Sequence, residues 1–346
     1  MKEDLERVYR QMARIRAFEE ALASLWKRGL ISGEMHLGIG EEAVIAGVLA
    51  HSRDGDALTV DHRSTPGFLA RGVDMESMLL EMLGSPEGLC RGMGGHMHLF
   101  SREHSAASSG IVGSSVPLGA GFALAAKQLR PGSVAVAFLG EGAMNQGMVF
   151  EALNLASTWK LPLVVVCKDN GWAITTRSRT VTSGCLLKRA RSLGVRARRT
   201  DGLRADRVWR CAGEAFARAR RGGGPTFIHA RCAHLEGHFL GDPLLRVFQD
   251  PAGEIGRISV PLARAAFSEG GGVLDKATAL GRIARSLSAI GLNTYMPHLD
   301  PLKVSARLVG VEERQRIARE ARAEVEEAVV RALERSGQRS GVMPRA

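Results

Sequence analysis

The sequence predicts an α/β fold, a parallel sheet flanked by helices, with a helical N-terminal arm and a helical C-terminal region. Three observations predict it. Short runs apolar on every residue alternate along the chain with stretches of helical periodicity, as buried parallel strands and their covering helices do. Both kinds of segment have ordinary lengths for strands and helices. Clusters of glycine and polar residues follow the apolar runs directly, where the carboxyl ends of parallel strands place ligands.

The elements follow in order. Leu5, Val8, Met12, Ile15, Phe18 and Leu22 recur at helical spacing among alternating charges, so residues 1–35 read as a helical arm. Its acidic residues argue against a secretion signal or a transit peptide. Helical patterns cover Glu41–Ala50, Met75–Met82, Leu118–Gln128, Met148–Thr158 and Ala205–Arg220, and apolar runs at Ala57–Val60, Val134–Leu139, Leu163–Cys167 and Thr226–Ala230 predict strands. These elements make residues 36–245 an α/β domain. Gly270–Gly272 interrupts the pattern, and Val311–Arg335 is a charged amphipathic helix, so residues 246–335 are expected to be mainly helical. The tail, residues 336–346, has no apolar face and is expected to be disordered.

Composition narrows the function. The chain has 346 residues, 45% hydrophobic and 24% charged, as a core-forming globular protein does. No apolar run approaches the roughly 18 residues of a membrane helix, and the expected location is the cytoplasm. Five scattered cysteines fit a reducing compartment. Much of the net charge of +11 lies between Lys188 and Arg221. No nucleic-acid motif accompanies this basic stretch, which reads as a solvated surface or a docking face for an acidic partner, and no nucleic-acid binding is expected.

The strongest chemical signal runs from Ala135 to Thr175. One predicted strand ends at Gly140-Glu141-Gly142-Ala143; the next ends at Lys168-Asp169-Asn170-Gly171-Trp172. Glycines let backbone N–H groups approach an anion, and a helix beginning there adds its positive end. A carboxylate among such amides makes sense when a divalent cation lies between. Magnesium takes oxygen ligands, and Glu141, the Asn170 amide and a carbonyl near Trp172 could supply three. A dinucleotide fingerprint would need glycine at position 145, where Asn145 stands, and the Walker sequence is absent.

Three further segments qualify. Asp61–Gly72 places Arg63 directly after a strand, where a guanidinium fork suits phosphate oxygens. Ser109–Ala125 is a glycine-rich turn that opens a helix. His234–Pro243 carries His238, a residue type whose side chain suits proton transfer or charge stabilisation near neutral pH. His234 reads as incidental. His96 and His98 alternate in RGMGGHMHLF, but a metal reading is rejected for want of a suitably spaced third ligand.

The stretch GEGAMNQG…EALNLA…WKLPLVVVCKDNGWAIT resembles the thiamine-diphosphate motif of alpha subunits of pyruvate, branched-chain 2-oxoacid and acetoin dehydrogenases. The resemblance runs from about His36 to Pro243 and implies a thiamine-diphosphate-binding fold. The usual motif begins Gly-Asp-Gly and closes with two asparagines; here Glu141 replaces the aspartate and Asp169 the first asparagine. The resemblance implies magnesium ligation by Glu141, Asn170 and the carbonyl of Trp172. It also implies diphosphate contacts from His62, Arg63, Gly142, Ala143 and His238, and aminopyrimidine contacts from Gly110 and Val112. Ile174 would prop the cofactor from beneath, and His238 would stabilise the reacting substrate. Many members carry a histidine where Thr65 stands. His98 matches a family histidine and His96 does not.

The implied activity is oxidative decarboxylation of a 2-oxoacid, or acetoin cleavage, with acyl transfer to a lipoyl acyltransferase. The implied assembly is α2β2, because the glutamate that activates the cofactor belongs to a beta subunit and one α/β domain cannot supply it. A second reading stays open: a non-catalytic relative kept as a scaffold or regulatory subunit, supported by Glu141, Asp169 and Thr65.

Overall fold

A computed structural model of the chain describes residues 2–174, 176–233, 235–241 and 297–338, with isolated positions 253, 264, 272, 275, 278 and 281 between them. Most of the predicted C-terminal region 246–335 before residue 297, Gly270–Gly271, and the tail beyond residue 338 lie outside the described residues. So do His234, Asp242 and Pro243.

In chain order the main elements are α1 (Lys2–Lys27), α2 (Glu42–Leu49), β1 (Ala57–Val60), α3 (Thr65–Arg71), α4 (Met75–Met82), β2 (Phe100–Ser101), β3 (Ala106–Ser108), α5 (Ser115–Leu129) and β4 (Ala135–Gly140). There follow α6 (Gly147–Thr158), β5 (Leu163–Asp169), the short pair β6 (Trp172–Ala173) and β7 (Thr176–Arg177), α7 (Ser178–Val181) and α8 (Leu186–Ser192). The rest are β8 (Arg196–Asp201), α9 (Ala205–Arg220), β9 (Thr226–Arg231), α10 (Pro301–Ser305) and α11 (Val311–Arg335). All four predicted strands are present within two residues of their expected ends.

Among the described residues seven strands form one sheet in the order β2-β3-β1-β4-β5-β9-β8. Every pairing is parallel except β2 with β3. The central strands are apolar throughout because both faces are covered. Val134, Val136, Phe138, Val164, Val166 and Ile228 point into one cluster with α1, α2, α9 and α11. Their neighbours Ala135, Ala137, Leu139, Val165, Cys167 and Phe227 point into the other, with α5, α6 and α8. That alternation is the period-2 pleat of a strand.

The predicted N-terminal helix buries Val8, Met12, Ile15, Phe18, Leu22 and Leu25 in the first cluster. α11 lies along it through Ile317, Ala321, Val325 and Val329, with Arg10 bonded to Glu313 and Glu320 and Arg14 to Glu324 along the seam. Among the described residues no helix is long and apolar enough to cross a membrane. All five cysteines are free.

The basic stretch is not uniformly a solvated surface. Arg220 is half-enclosed and grips buried Asp56 with both nitrogens, at 2.6 and 3.0 Å. Arg189 reaches Asn145 Oδ1 at 2.8 Å and so braces the turn after β4. Arg196, Arg198 and Arg199 stand on β8, a strand at the sheet edge that charge hides from hydrophobic-run reading.

Candidate active site

Five neighbouring parallel strands, β3, β1, β4, β5 and β9, end on one side of the sheet, and each predicted motif leaves one of these tips. Gly140 pairs with Lys168 and Asp169 with Arg231, so Glu141, Asn170 and the loop carrying His238 emerge side by side. A cleft of about 1610 Å³ opens there, lined by Glu141, Asn170, Trp172, Ile174, Ser178 and His238 among others.

Glu141 is 3% exposed. Burial pushes its carboxyl up to about 7, and the nearby Asp169 charge adds to the rise. Ser178 Oγ donates to Oε1 at 2.5 Å and the Asn170 backbone N–H also faces the carboxylate, both opposing that rise. Among the described residues no cationic side chain makes an ion pair with it. The Asn170 amide oxygen accepts from the Trp172 N–H at 2.8 Å, closing a turn that holds this oxygen in place. An amide oxygen has two lone pairs, so this bond is compatible with ligation. Asp169 shapes the same turn, accepting from the Gly171 N–H at 2.9 Å and contacting His229 Nε2 at 2.6 Å.

Gly142 and Ala143 lie in the turn that precedes α6. Neither Gly140 nor Gly142 has a positive φ. A Cβ at Gly142 would lie 2.8 Å from the Ala173 Cβ, so this glycine serves the close packing of β6 onto the turn. Residues Gly142–Asn145 form a single 3₁₀ turn, and α6 begins only at Gly147. Ala143 is buried in the cluster beneath α5 and α6. Ile174 lines the cleft, 56% exposed, with φ of 53°, a left-handed conformation that a β-branched side chain strains to adopt.

The turn after β1 forms a second polar cluster. Arg63 is buried, with Nη1 donating to the Leu37 carbonyl at 2.5 Å and Nη2 to the His238 carbonyl at 2.7 Å. His62 lies with its ring 5.4 Å from that of His238. Gly110 and Val112 stand apart from the cleft lining; Val112 and Ile111 are exposed.

Several residues that the sequence reading passed over hold these parts together. Lys168 is fully buried, and its Nζ donates to Glu41 Oε2 at 2.6 Å and to Asp61 Oδ1 at 3.0 Å. It joins the start of α2, the turn after β1 and the end of β5. The two carboxylates hold the lysine ammonium well above its usual range despite burial. His36 contacts the rings of His62 and His238, and Glu19 accepts from Thr65 Oγ1 at 2.5 Å and from the Gly38 N–H at 2.7 Å. The one signal for His36 was a histidine just ahead of two adjacent acids in HLGIGEEA. Ser178 gave none, since a serine after a glycine turn is ordinary.

Comparison with known proteins points the same way as this geometry. The sequence profile described as Dehydrogenase E1 component matches residues 10–247. The alpha subunit of acetoin:2,6-dichlorophenolindophenol oxidoreductase from Cupriavidus necator is 41% identical over 243 residues, covering 70% of this chain and 73% of that protein. Its counterpart from Bacillus subtilis is 40% identical over 238 residues, covering 68% and 71%. The pyruvate dehydrogenase E1 component subunit alpha of Zymomonas mobilis is 38% identical over 245 residues, covering 70% and 69%.

Proposed function

The chain belongs to the dehydrogenase E1 component family, and we propose that it is the alpha subunit of a thiamine-diphosphate- and magnesium-dependent oxidoreductase acting on a 2-oxoacid or acetoin. The observation that carries the reading is Glu141: a buried carboxylate, raised to about 7, beside the Asn170 turn and without a cationic partner among the described residues. A divalent ion between these groups would offset that burial cost. Glu141, the Asn170 amide oxygen and the Trp172 carbonyl would hold magnesium, which in turn would neutralise the cofactor's diphosphate.

When bound, thiamine diphosphate supplies a nucleophilic carbon and an electron sink for the substrate's keto carbon. This chain's residues do the rest. Arg63 and His62 would hold the diphosphate, the Arg63 guanidinium offering charge-assisted bonds to phosphate oxygens. Ile174 would support the cofactor with a rigid branched side chain. His238 sits at the mouth beside the Arg63 guanidinium, positioned to hold or pass a proton at the substrate oxygen. Gly110 and Val112 offer backbone groups to the pyrimidine ring.

The exposure of Ile111, Val112 and Leu118 around that glycine-rich turn supports a beta subunit covering them in an α2β2 assembly. Transfer of the acyl unit to a lipoyl acyltransferase and a cytoplasmic location complete the proposal. So do the domain limits 1–35, 36–245 and 246–335.

The test is titration of thiamine diphosphate, with and without Mg2+, into the full chain purified with its neighbouring-gene partner. Magnesium-dependent binding, lost in Glu141→Ala, is expected. Absence of binding would favour a scaffold relative that has kept the fold without the chemistry.

A further inference from the structure

Three imidazoles meet beside Arg63, apart from the oxygen donors at Glu141 and Asn170. One ligand nitrogen from each of His36, His62 and His238 lies within 4.8 Å of the others. The ring centroids are 4.7, 5.1 and 5.4 Å apart, a closed triangle. The rings come from three separate segments: the loop before α2, the turn after β1 and the loop after β9. Contacts from outside orient two of them. His36 Nδ1 meets His96 Nε2 at 3.0 Å, and His238 Nδ1 lies 3.3 Å from Arg63 Nη2. The third, His62, has a buried Nε2 with no hydrogen-bond partner.

We propose that His36, His62 and His238 form a nitrogen-donor site for one borderline transition-metal ion, for which Zn2+ is the probe. Three neutral imidazoles with an open fourth position are a recurrent zinc arrangement, with bonds of about 2.0–2.1 Å. Bonds of that length place the nitrogens about 3.4 Å apart, closer than the outer limit of 4.8 Å that holds them here. Neutral rings are the form that ligates, and burial, the larger cause, together with Arg63 holds His62 far below the usual histidine range. The nearby cations are matched: Lys168 is held by Glu41 and Asp61, and Arg63 lies 3.9 Å from Glu41. His96, also held neutral at about 4, stands behind His36 as an outer partner that fixes its ring. The strand tips thus offer two cation sites of opposite preference, oxygen donors for magnesium and nitrogen donors for zinc. One consequence rests on the proposed function: His62 and His238 face the diphosphate, so zinc and thiamine diphosphate exclude each other.

The experiment uses the full chain without a polyhistidine tag, purified with its partner and stripped with chelator. Titration with Co2+ is expected to give, at one equivalent, the intense visible absorption of a tetrahedral cobalt centre. Zn2+ abolishes it and excess Mg2+ does not. His62→Ala removes the band, His96→Ala weakens binding about 10–100-fold, and His104→Ala changes nothing. His36→Ala removes the band too; because His36 is buried, its fold is checked by circular dichroism, and half-buried His62 carries the test independently. No band, or a band that survives His62→Ala, overturns the site. If the band forms but thiamine diphosphate leaves Zn2+ affinity unchanged, the metal site stands and the placement of His62 and His238 at the diphosphate falls.

Discussion

Replacing Lys168 by methionine keeps the length of the stem and removes the charge. The lysine ammonium is 2.6 Å from Glu41 and 3.0 Å from Asp61, and all three side chains are largely or wholly shielded from water. Removing one member of a buried ionic group strands the others and costs about 3–5 kcal/mol. Arg63 lies 3.9 Å from Glu41 and takes up part of that charge, which places the expected loss near the lower end, about 3 kcal/mol. The assay is guanidinium denaturation, read as a fall in midpoint at unchanged slope. The double variant Glu41→Gln, Lys168→Met should recover about 1–2 kcal/mol relative to simple addition, because it removes a stranded charge together with its partner. A loss below about 1 kcal/mol, or strict additivity in the double variant, would refute the reasoning.

Other expectations follow from single geometries. Gly142→Ala should push Ala173 and the Asn170 turn apart, lowering affinity for magnesium and thiamine diphosphate by about tenfold or more; calorimetric titration giving wild-type affinity would count against the packing role. Glu19, raised by burial to about 7, keeps a proton in the folded chain that the unfolded chain releases near its ordinary 4.5. Its stabilising contribution is therefore full below pH 4.5 and lost as pH rises through 7, by about 3 kcal/mol. Glu19→Gln should remove that slope, so the wild-type-minus-variant difference curve falls by about 3 kcal/mol across this window; a difference curve flat there would show otherwise. Glu81 accepts from the backbone N–H groups of Cys90, Gly92, Gly94 and Gly95 at 2.6–3.2 Å. Glu81→Gln turns one acceptor into a donor facing donors, with an expected loss of about 2–4 kcal/mol and faster proteolysis between Gly88 and Met97; unchanged cleavage would exclude the role.

The central strands were legible because burial on both faces leaves no room for polar residues. β8 was not, since Arg196, Arg198 and Arg199 occupy half of it and only Ala197 and Thr200 are buried. β2 and β3 were too short to show any period. At the site, Glu141, Asn170 and Arg63 could be read because each directly follows an apolar run. Lys168 reads locally as one more polar residue after a strand. Its meaning depends on Glu41 and Asp61, 127 and 107 residues away, and sequence spacing does not reveal such pairings. The histidine triangle was hidden for the same reason: its members come from three loops, and the only visible spacing, His96 with His98, was the wrong pair. The glycines of the Glu141 turn were noticed for a sound reason, close backbone approach, but what approaches Gly142 is Ala173.

The arginine-rich border of the sheet has a consequence for solubility. A lateral strand with unpaired amide and carbonyl groups is a template on which another copy of the chain can add its own. Among the described residues β8 is one such border, and there any newcomer would meet guanidinium groups at Arg196, Arg198 and Arg199, repelled by its own like charges. The opposite border, β2, spans two residues and turns antiparallel, too little backbone to start a stack. Fibril-like growth is thereby discouraged from both sides.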